Sequence, residues 1–419
     1  MLDSRHDVAV IGAGIVGVAT AIRLVQDGHR VTLIDKLGPA EGTSYGNAGV
    51  LASCSVVPVT VPGLPFKAPG MLLNPGSPLF VRWSYLPRML PWLWRYLREC
   101  NAPATQSVAR AMTPIIGDSL DQHLALARGT PAEKWIVPSD YLFVYRDRAA
   151  YEADGFVWRL REDCGFKWDT IEGAAIREYD PAFGPAAGFI VRLGDHGHIK
   201  DPGRYVKDLA THYRSLGGTI KQAEVIDFKS GANGLEGLIT SEGTVACTRA
   251  VLSAGVWSGP LAARLGLKAS LESERGYHIE LENPSLMPRA PSAITTGKFV
   301  VTPMEGRVRC AGIVEFGGLT APPSRAPFRL LERQVRTAFP DLRWSGVKTW
   351  MGHRPTPVDS IPLIGPVERR PGVYVGFGHQ HVGLTGGPKT GRILADLIAG
   401  RRPNFDMTPY RPERFGRVG

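Results

Sequence analysis

The stretch from Asp7 to Asp35 constrains the fold most tightly. Asp7-Val-Ala-Val-Ile11 is a short, apolar, β-branched run, the pattern of a strand buried in a parallel sheet. It leads into Gly12-Ala13-Gly14-Ile15-Val16-Gly17. Val18 to Asp27 then reads as a helix ending near Gly28, and Arg30-Val-Thr-Leu-Ile34 as a second strand closed by Asp35. The acid stands 18 residues past the last motif glycine, as in a βαβ unit that binds a dinucleotide. Gly12 allows the tight turn, Gly14 lets the backbone approach a pyrophosphate, and Gly17 lets helix and strand pack closely. The helix N-terminus offers free N–H groups and a partial positive charge to phosphates. Asp35 can accept hydrogen bonds from the adenosine ribose hydroxyls. No Arg follows it closely, which argues against a 2′-phosphate, although Lys36 keeps that open. The motif alone does not separate FAD from NAD.

The 419 residues suggest two or three domains at about 150 residues each. A chain this long buries a large core without disulfides or metals. The 49 Gly and 34 Pro are about a fifth of the chain, against roughly 12% in average usage, so many turns and close backbone approaches are expected. Five cysteines, no two closer than 46 positions, exclude a CxxC motif and favour reduced cytosolic thiols. His196-x-His198 and His379-x-His381 lack the spacing of a helix-borne metal site, so no metal is expected. Val8 to Val25 is apolar, but it carries the motif glycines and Arg23 and follows no basic segment; neither a signal peptide nor a membrane anchor is expected. The net charge of +10 predicts attraction to anions. The positive residues are dispersed and no nucleic-acid-binding motif is present, so nucleic acid is not an expected partner.

Further pieces follow along the chain. Glu41-Gly-Thr-Ser-Tyr-Gly-Asn-Ala-Gly-Val50 is a loop of small residues with a Thr43-Ser44 pair, suited to packing on a flat ring system. Gly217–Val225 and Leu235–Ile239 alternate like strands, with a Gly-Ala-Asn-Gly turn signal between them. Val251-Leu-Ser-Ala-Gly-Val-Trp257 is an apolar strand ending at Gly255, and Val373-Tyr-Val-Gly-Phe-Gly378 is another. His379-Gln-His-Val-Gly-Leu-Thr385 leads into a helix over about 387–398.

With Arg275-Gly-Tyr277 and Gly352-His-Arg-Pro-Thr-Pro-Val-Asp359, these pieces resemble the D-amino-acid oxidase/dehydrogenase superfamily of FAD-dependent oxidoreductases. The likeness is greatest to bacterial D-amino-acid dehydrogenases and runs nearly end to end. It implies an α/β fold with an α+β second domain: a Rossmann-like FAD-binding domain interleaved with a substrate domain on a mostly antiparallel sheet. Residues 1–85, 200–270 and 345–419 would form the first, and 86–199 and 271–344 the second. The resemblance places FAD against Gly12, Gly14, Ile15, Val16 and Gly17, then Asp35 and Lys36. It adds Thr43, Ser44, Asn47, Ala48, Gly49, Val50 and Leu51. Val225 would lie beside the adenine, followed by Ala254, Gly255, Trp257 and Gly352. Gly378, His379, His381, Val382, Gly383, Leu384 and Thr385 complete the set. The turn Gly383-Leu-Thr385, opening the last helix, would present N–H groups to the flavin C2 oxygen.

Amine oxidation on a flavin needs the α-hydrogen oriented and the carboxylate fixed. Arg354 matches an arginine that clamps the carboxylate in related enzymes; the alternative is a structural Arg paired with Asp359. Tyr277 is a second candidate through its phenol, or else a core-edge tyrosine. His278, His379 and His381 could line the pocket or be satisfied structurally. Some dehydrogenases for cationic D-amino acids carry a histidine in the loop after the Ser/Thr pair. Val50 and Leu51 stand there in this chain, favouring a neutral side chain or a cyclic imino acid.

The expected reaction is hydride transfer from a D-amino or cyclic D-imino acid, with electrons passed to a quinone or other non-oxygen acceptor. A glycine/sarcosine-type oxidase producing peroxide and a 2-hydroxy-acid dehydrogenase remain alternatives. Residues 79–97 are dense in Trp, Leu and Arg. Pro87 and Pro91 are expected to prevent one continuous helix there. The segment suits either peripheral contact with an anionic membrane or two short helices with Trp in the core. A cytoplasmic protein, peripheral at the cytoplasmic face of the inner membrane in the first case, is the expectation.

Overall fold

The computed structural model describes residues 6–74, 76–232 and 234–417. The ends of the first and last expected nucleotide-domain segments (1–5 and 418–419) and Asn233 of the expected turn lie outside the described residues. The fold is mixed α/β, as the sequence predicts.

A six-stranded sheet carries the βαβ unit. Its order is Leu363–Pro366, Val373–Phe377, Arg249–Leu252, Asp7–Ile11, Arg30–Asp35 and Thr219–Gln222. Only the first of these runs antiparallel to its neighbour. Helix Ile15–Gln26 follows the first strand, starting three residues earlier than its apolar run suggests. It crosses the last helix, Gly383–Ile398, at close range. A Cβ on Gly391 would lie 2.8 Å from the Ala19 Cβ, and one on Gly387 2.8 Å from Ile15. Those two glycines therefore serve helix packing.

The run Gly217–Val225 is divided between two sheets. Thr219–Gln222 ends the parallel sheet, while Val225–Gly231 begins a three-stranded antiparallel sheet with Gly234–Thr240 and Gly243–Ala246.

A ten-stranded, mostly antiparallel sheet forms the other layer. Its edge strand Gly346–Pro357 pairs along its whole length with Leu271–Glu282. The expected third nucleotide-domain segment thus opens with a strand of the large sheet. Val50–Leu51 and Leu79–Val81 join the same sheet.

Alternation along Leu271–Glu282 positions the site. Tyr277, Ile279 and Leu281 enter a core with Leu330, Leu331 and Val335 of helix Arg325–Ala338. Glu272, Glu274, Gly276, His278 and Glu280 share the opposite face. The polar residues at every second position mark a face held by specific pairing rather than by apolar contact.

Residues 86–98 correct the expectation of a broken helix: Leu86–Arg98 is continuous. Pro87 sits in the first turn, where its missing N–H has no intrahelical partner to lose. Pro91 lies inside, and the lost bond is offset by burial of Met89, Trp92 and Tyr96. Among the described residues, no helix is long and apolar enough to cross a membrane, and no three potential metal ligands cluster.

Candidate active site

The turn after the first strand is fixed by its glycines. Gly12 has φ +101°, and a Cβ there would lie 2.6 Å from the Ser253 carbonyl oxygen. A Cβ on Gly17 would lie 1.8 Å from the Gly12 oxygen, so any side chain would force helix and turn apart. No side chain caps helix Ile15–Gln26 at Gly14. The Ser44 hydroxyl accepts from the Ile15 N–H at 3.0 Å, which ties the Thr43-Ser44 loop to the helix start. Asp35 accepts from the Ala13 N–H on one oxygen, and from the Leu37 and Gly38 N–H groups on the other. It organises both loops while still lining the space between them.

That space is a cavity of about 590 Å³ running from Asp35 to the start of the last helix. Seventeen of the expected cofactor residues line it: Gly12, Gly14, Ile15, Val16, Asp35, Lys36, Thr43, Ser44, Asn47, Val225, Ala254, Gly255, Trp257, Gly378, His379, Gly383 and Leu384. The Lys36 ammonium lies over the Trp257 ring, 4.8 Å from its centre. Glu41, Gly42, Ser253, Pro355 and Gln380, which fall within the quoted motifs but outside the expected cofactor set, also line the cavity.

The remaining expected cofactor residues, His381 among them, lie outside the lining. Gly17 is spent on packing. Ala48 and Val50 belong to a core beside Tyr141 and Trp158, and Leu51 to the core of the parallel sheet. Val50 and Leu51 therefore do not shape the cavity. Gly49 has φ +82° and approaches the Ile199 carbonyl, a turn that a side chain would block. Val382 is the residue before the last helix. The Thr385 hydroxyl donates to the Val50 carbonyl. Gly352 lies under Trp350, whose ring a Cβ would meet at 1.9 Å.

At the far end, the last helix starts at Gly383, one turn earlier than expected, with no side-chain cap. Gly383 and Leu384 line the cavity, so the positive end of the helix faces it. His379 lines the cavity too, its Nε2 2.9 Å from the Thr390 hydroxyl. Burial holds His379 down at about 4, so its ring is neutral near pH 7. Burial likewise lowers His381.

Beyond Pro355 the large sheet takes over. Arg354 sits directly opposite Glu274, and Nη1 donates to Oε1 at 2.8 Å. The Thr356 hydroxyl donates to the other Glu274 oxygen at 3.1 Å. The next rung on this face pairs Gly276 with Gly352. The Arg354 guanidinium lies across the first, 2.7 Å from where a Cβ would stand, and the Trp350 ring lies across the second. Asp359 is not the partner of Arg354; it pairs with Arg414 at 2.7 Å.

Tyr277 faces the opposite way. Its hydroxyl donates to Glu315 at 2.6 Å, deep in the core beside Phe328, so it cannot share a ligand with Arg354. His278 is on the Arg354 face. Its Nδ1 lies 3.0 Å from the Gly46 carbonyl and its ring stacks on Trp350. Burial, then Arg309, lowers it to about 3, leaving a neutral ring that holds the loop.

Arg309 fixes the same loop, donating to the Tyr45 and Asn47 carbonyls while pairing with Glu280. Burial alone would raise the Glu280 carboxyl, but Arg309 and Arg307 pull it down to about 2. Glu274, Glu280, Trp350 and Arg309 escaped notice in the sequence. The every-second-residue polarity of Leu271–Glu282 is a signal that could have found Glu274 and Glu280; Arg309 and Trp350 stand on neighbouring strands, outside that pattern.

A Rossmann-type cradle whose far end opens on an arginine-bearing antiparallel sheet defines a dinucleotide-dependent oxidoreductase. Residues 7–397 match the FAD dependent oxidoreductase family, and the chain belongs to it. It is similar to a D-amino-acid oxidase of Bradyrhizobium diazoefficiens, 38% identical over 99% of this chain and all of that one. A D-amino acid dehydrogenase of Allorhizobium ampelinum is 28% identical over 98% of this chain and 100% of its own. The glycine oxidase structure from Geobacillus kaustophilus shares the fold, with a TM-score of 0.76 at 22% identity over 99% of this chain and 100% of that one.

The cofactor of this family is FAD, and the residues present fit it. The glycine turn leaves a cradle that a Cβ at Gly12 would fill, Asp35 stands at the ribose end, and an uncapped helix start faces the other end. FAD, when bound, supplies a two-electron acceptor.

Proposed function

We propose that this chain oxidises D-amino or cyclic D-imino acids to imino acids, with bound FAD as the immediate acceptor. The observation that carries the reading is the position of Arg354, one residue from Pro355 in the cavity wall and held flat over Gly276. The relatives' names supply the substrate class. A guanidinium so placed clamps a carboxylate in a plane. The positive end of the last helix favours negative charge at the cavity's far end. His278 and His379 are neutral and engaged as structural partners, so no protein base is assigned; the substrate reacts as the neutral amine. Acyclic imino acids hydrolyse in water to a 2-oxo acid and ammonia.

Two readings of the final acceptor have separate support. The similarity to a protein named D-amino-acid oxidase favours oxygen. The helix Leu86–Arg98 favours a quinone reached at an anionic membrane surface. Leu90 and Trp94, four apart on one face, are 52% and 68% exposed, Trp83 just ahead is 62% exposed, and Arg88, Arg95 and Arg98 are exposed around them. Stoichiometric peroxide with a D-amino acid selects oxygen; reduction of a soluble quinone analogue without peroxide selects the second reading. Salt-sensitive co-sedimentation with anionic liposomes that is weakened by Trp94→Ala supports the membrane contact, and no binding at low salt removes it.

A further inference from the structure

The carboxylate clamp holds a feature that binding alone does not require. Arg354 has a carboxylate partner before any substrate arrives. Glu274 is buried, 8% exposed at its side chain, and takes one guanidinium N–H and the Thr356 hydroxyl. Among the described residues, Arg354 is the one ion-pair partner of Glu274, and Glu274 the one ion-pair partner of Arg354. Among the neighbouring titratable groups of the described residues, Arg88 is a further cation; it acts on the Tyr85 phenol that bonds Glu272, not on Glu274. His381 feels both charges but is pushed toward its neutral form by burial. The Tyr96 phenol, facing Glu274 from helix Leu86–Arg98, is kept protonated, first by burial and then by Glu274. Two residues along the strand, Glu272 adds another carboxylate on the same face, bonded to the Tyr85 hydroxyl at 2.9 Å. Arg275 lies on the opposite face, its charge turned to Glu315 at 2.7 Å.

The geometry points to Glu274 as the residue that sets the charge specificity of the clamp: it half-neutralises Arg354, so the site takes a substrate with one carboxylate and rejects one with two. The inference rests on the reading of Arg354 as the carboxylate clamp. The first carboxylate of a substrate meets the free edge of the guanidinium. A second one, carried on an acidic side chain, approaches the carboxylates of Glu274 and Glu272 on the same face. Like charges brought together in a partly desolvated site oppose binding strongly. Glu274 is thus a positioning and specificity residue rather than a catalytic one.

The test compares kcat/KM for D-alanine and D-aspartate in the flavin-loaded enzyme. In the unaltered enzyme the ratio should exceed about tenfold, since tenfold corresponds to a modest repulsion; near parity would overturn the inference. Glu274→Gln keeps the shape and removes the charge. It should lower the ratio by about tenfold, mainly through the KM for D-aspartate, while Glu274→Asp should restore it. A Glu274→Gln enzyme with full flavin content and an unchanged ratio would overturn the inference. The underlying reading is tested separately with Arg354→Ala. If that change leaves KM for both substrates untouched, the clamp itself is wrong; if it raises both while Glu274→Gln does nothing, only the role of Glu274 falls. Should Glu274→Gln fail to fold, the ratio in the unaltered enzyme still decides.

Discussion

Glu274 and Arg354 face each other across one rung of the ladder between Leu271–Glu282 and Gly346–Pro357, bonded at 2.8 Å. The next rung on the same face is a pair of glycines, Gly276 and Gly352. The ion pair fixes the direction of the guanidinium, and the glycines supply the floor on which it and the Trp350 ring lie.

Removing the guanidinium should cost carboxylate binding and some stability, since Glu274 loses its ion-pair partner, but not the bound flavin. Arg354→Ala is expected to lower kcat/KM for D-amino acids on the order of a hundredfold, chiefly through KM, since a charge-assisted bidentate bond contributes a few kcal/mol. Flavin content should stay at one per chain, because Arg354 does not line the dinucleotide cavity. Steady-state kinetics with flavin absorbance on the same sample check both halves.

Gly276→Ala should act on Arg354 without touching its charge. The new methyl would stand 2.7 Å from the guanidinium carbon, so the side chain must move. The expected outcome is a KM increase of about tenfold, with kcat changed less than KM. An unchanged KM would show that the floor is not needed.

Gly17→Ala should damage the fold itself. Its methyl would sit 1.8 Å from the Gly12 oxygen, a backbone atom that cannot swing away. Overpacking of this kind costs about 1–3 kcal/mol or more. The measured signs would be a lower Tm and protein that purifies without its yellow colour.

Several buried histidines predict an acid-labile fold. Burial holds His123, His198 and His379 each down at about 4, below the ordinary value near 6.5. The unfolded chain therefore binds more protons than the folded one between those values. Stability is fully present above about pH 6.5 and falls as pH drops toward 4, by up to about 1.4 kcal/mol per pH unit for each group. Urea midpoints from pH 8 to 4.5 should be flat above 7 and decline below; a flat profile throughout would refute these burial effects.

The parts of this protein legible in the sequence are those where backbone geometry dictates residue type. Gly12, Gly14, Gly17 and Asp35 can be read because a tight turn, a close approach and a ribose acceptor each admit few residues. Tyr277 stays open between site and core in the sequence because which face a strand residue takes depends on its partners: one step along Leu271–Glu282 separates it from His278 on the other face. Glu274 belongs to the alternating polar face of Leu271–Glu282, but that pattern does not name its partner; only the ladder sets it against Arg354. Gly387 and Gly391 carry no local signal of their role, because they are contacts between helices far apart in the chain, near Ile15 and Ala19. Pro91 likewise signals a break that packing of Trp92 and Tyr96 overrides.

The most direct test of the account is anaerobic mixing of the purified flavoprotein with paired D- and L-amino acids, D-proline, N-methyl amino acids and 2-hydroxy acids, following the visible flavin absorbance. The account predicts rapid bleaching by D-amino acids with neutral side chains or by D-proline, and none by their L counterparts. Bleaching by 2-hydroxy acids or L-amino acids alone, or by no D-amino acid at all, would contradict it.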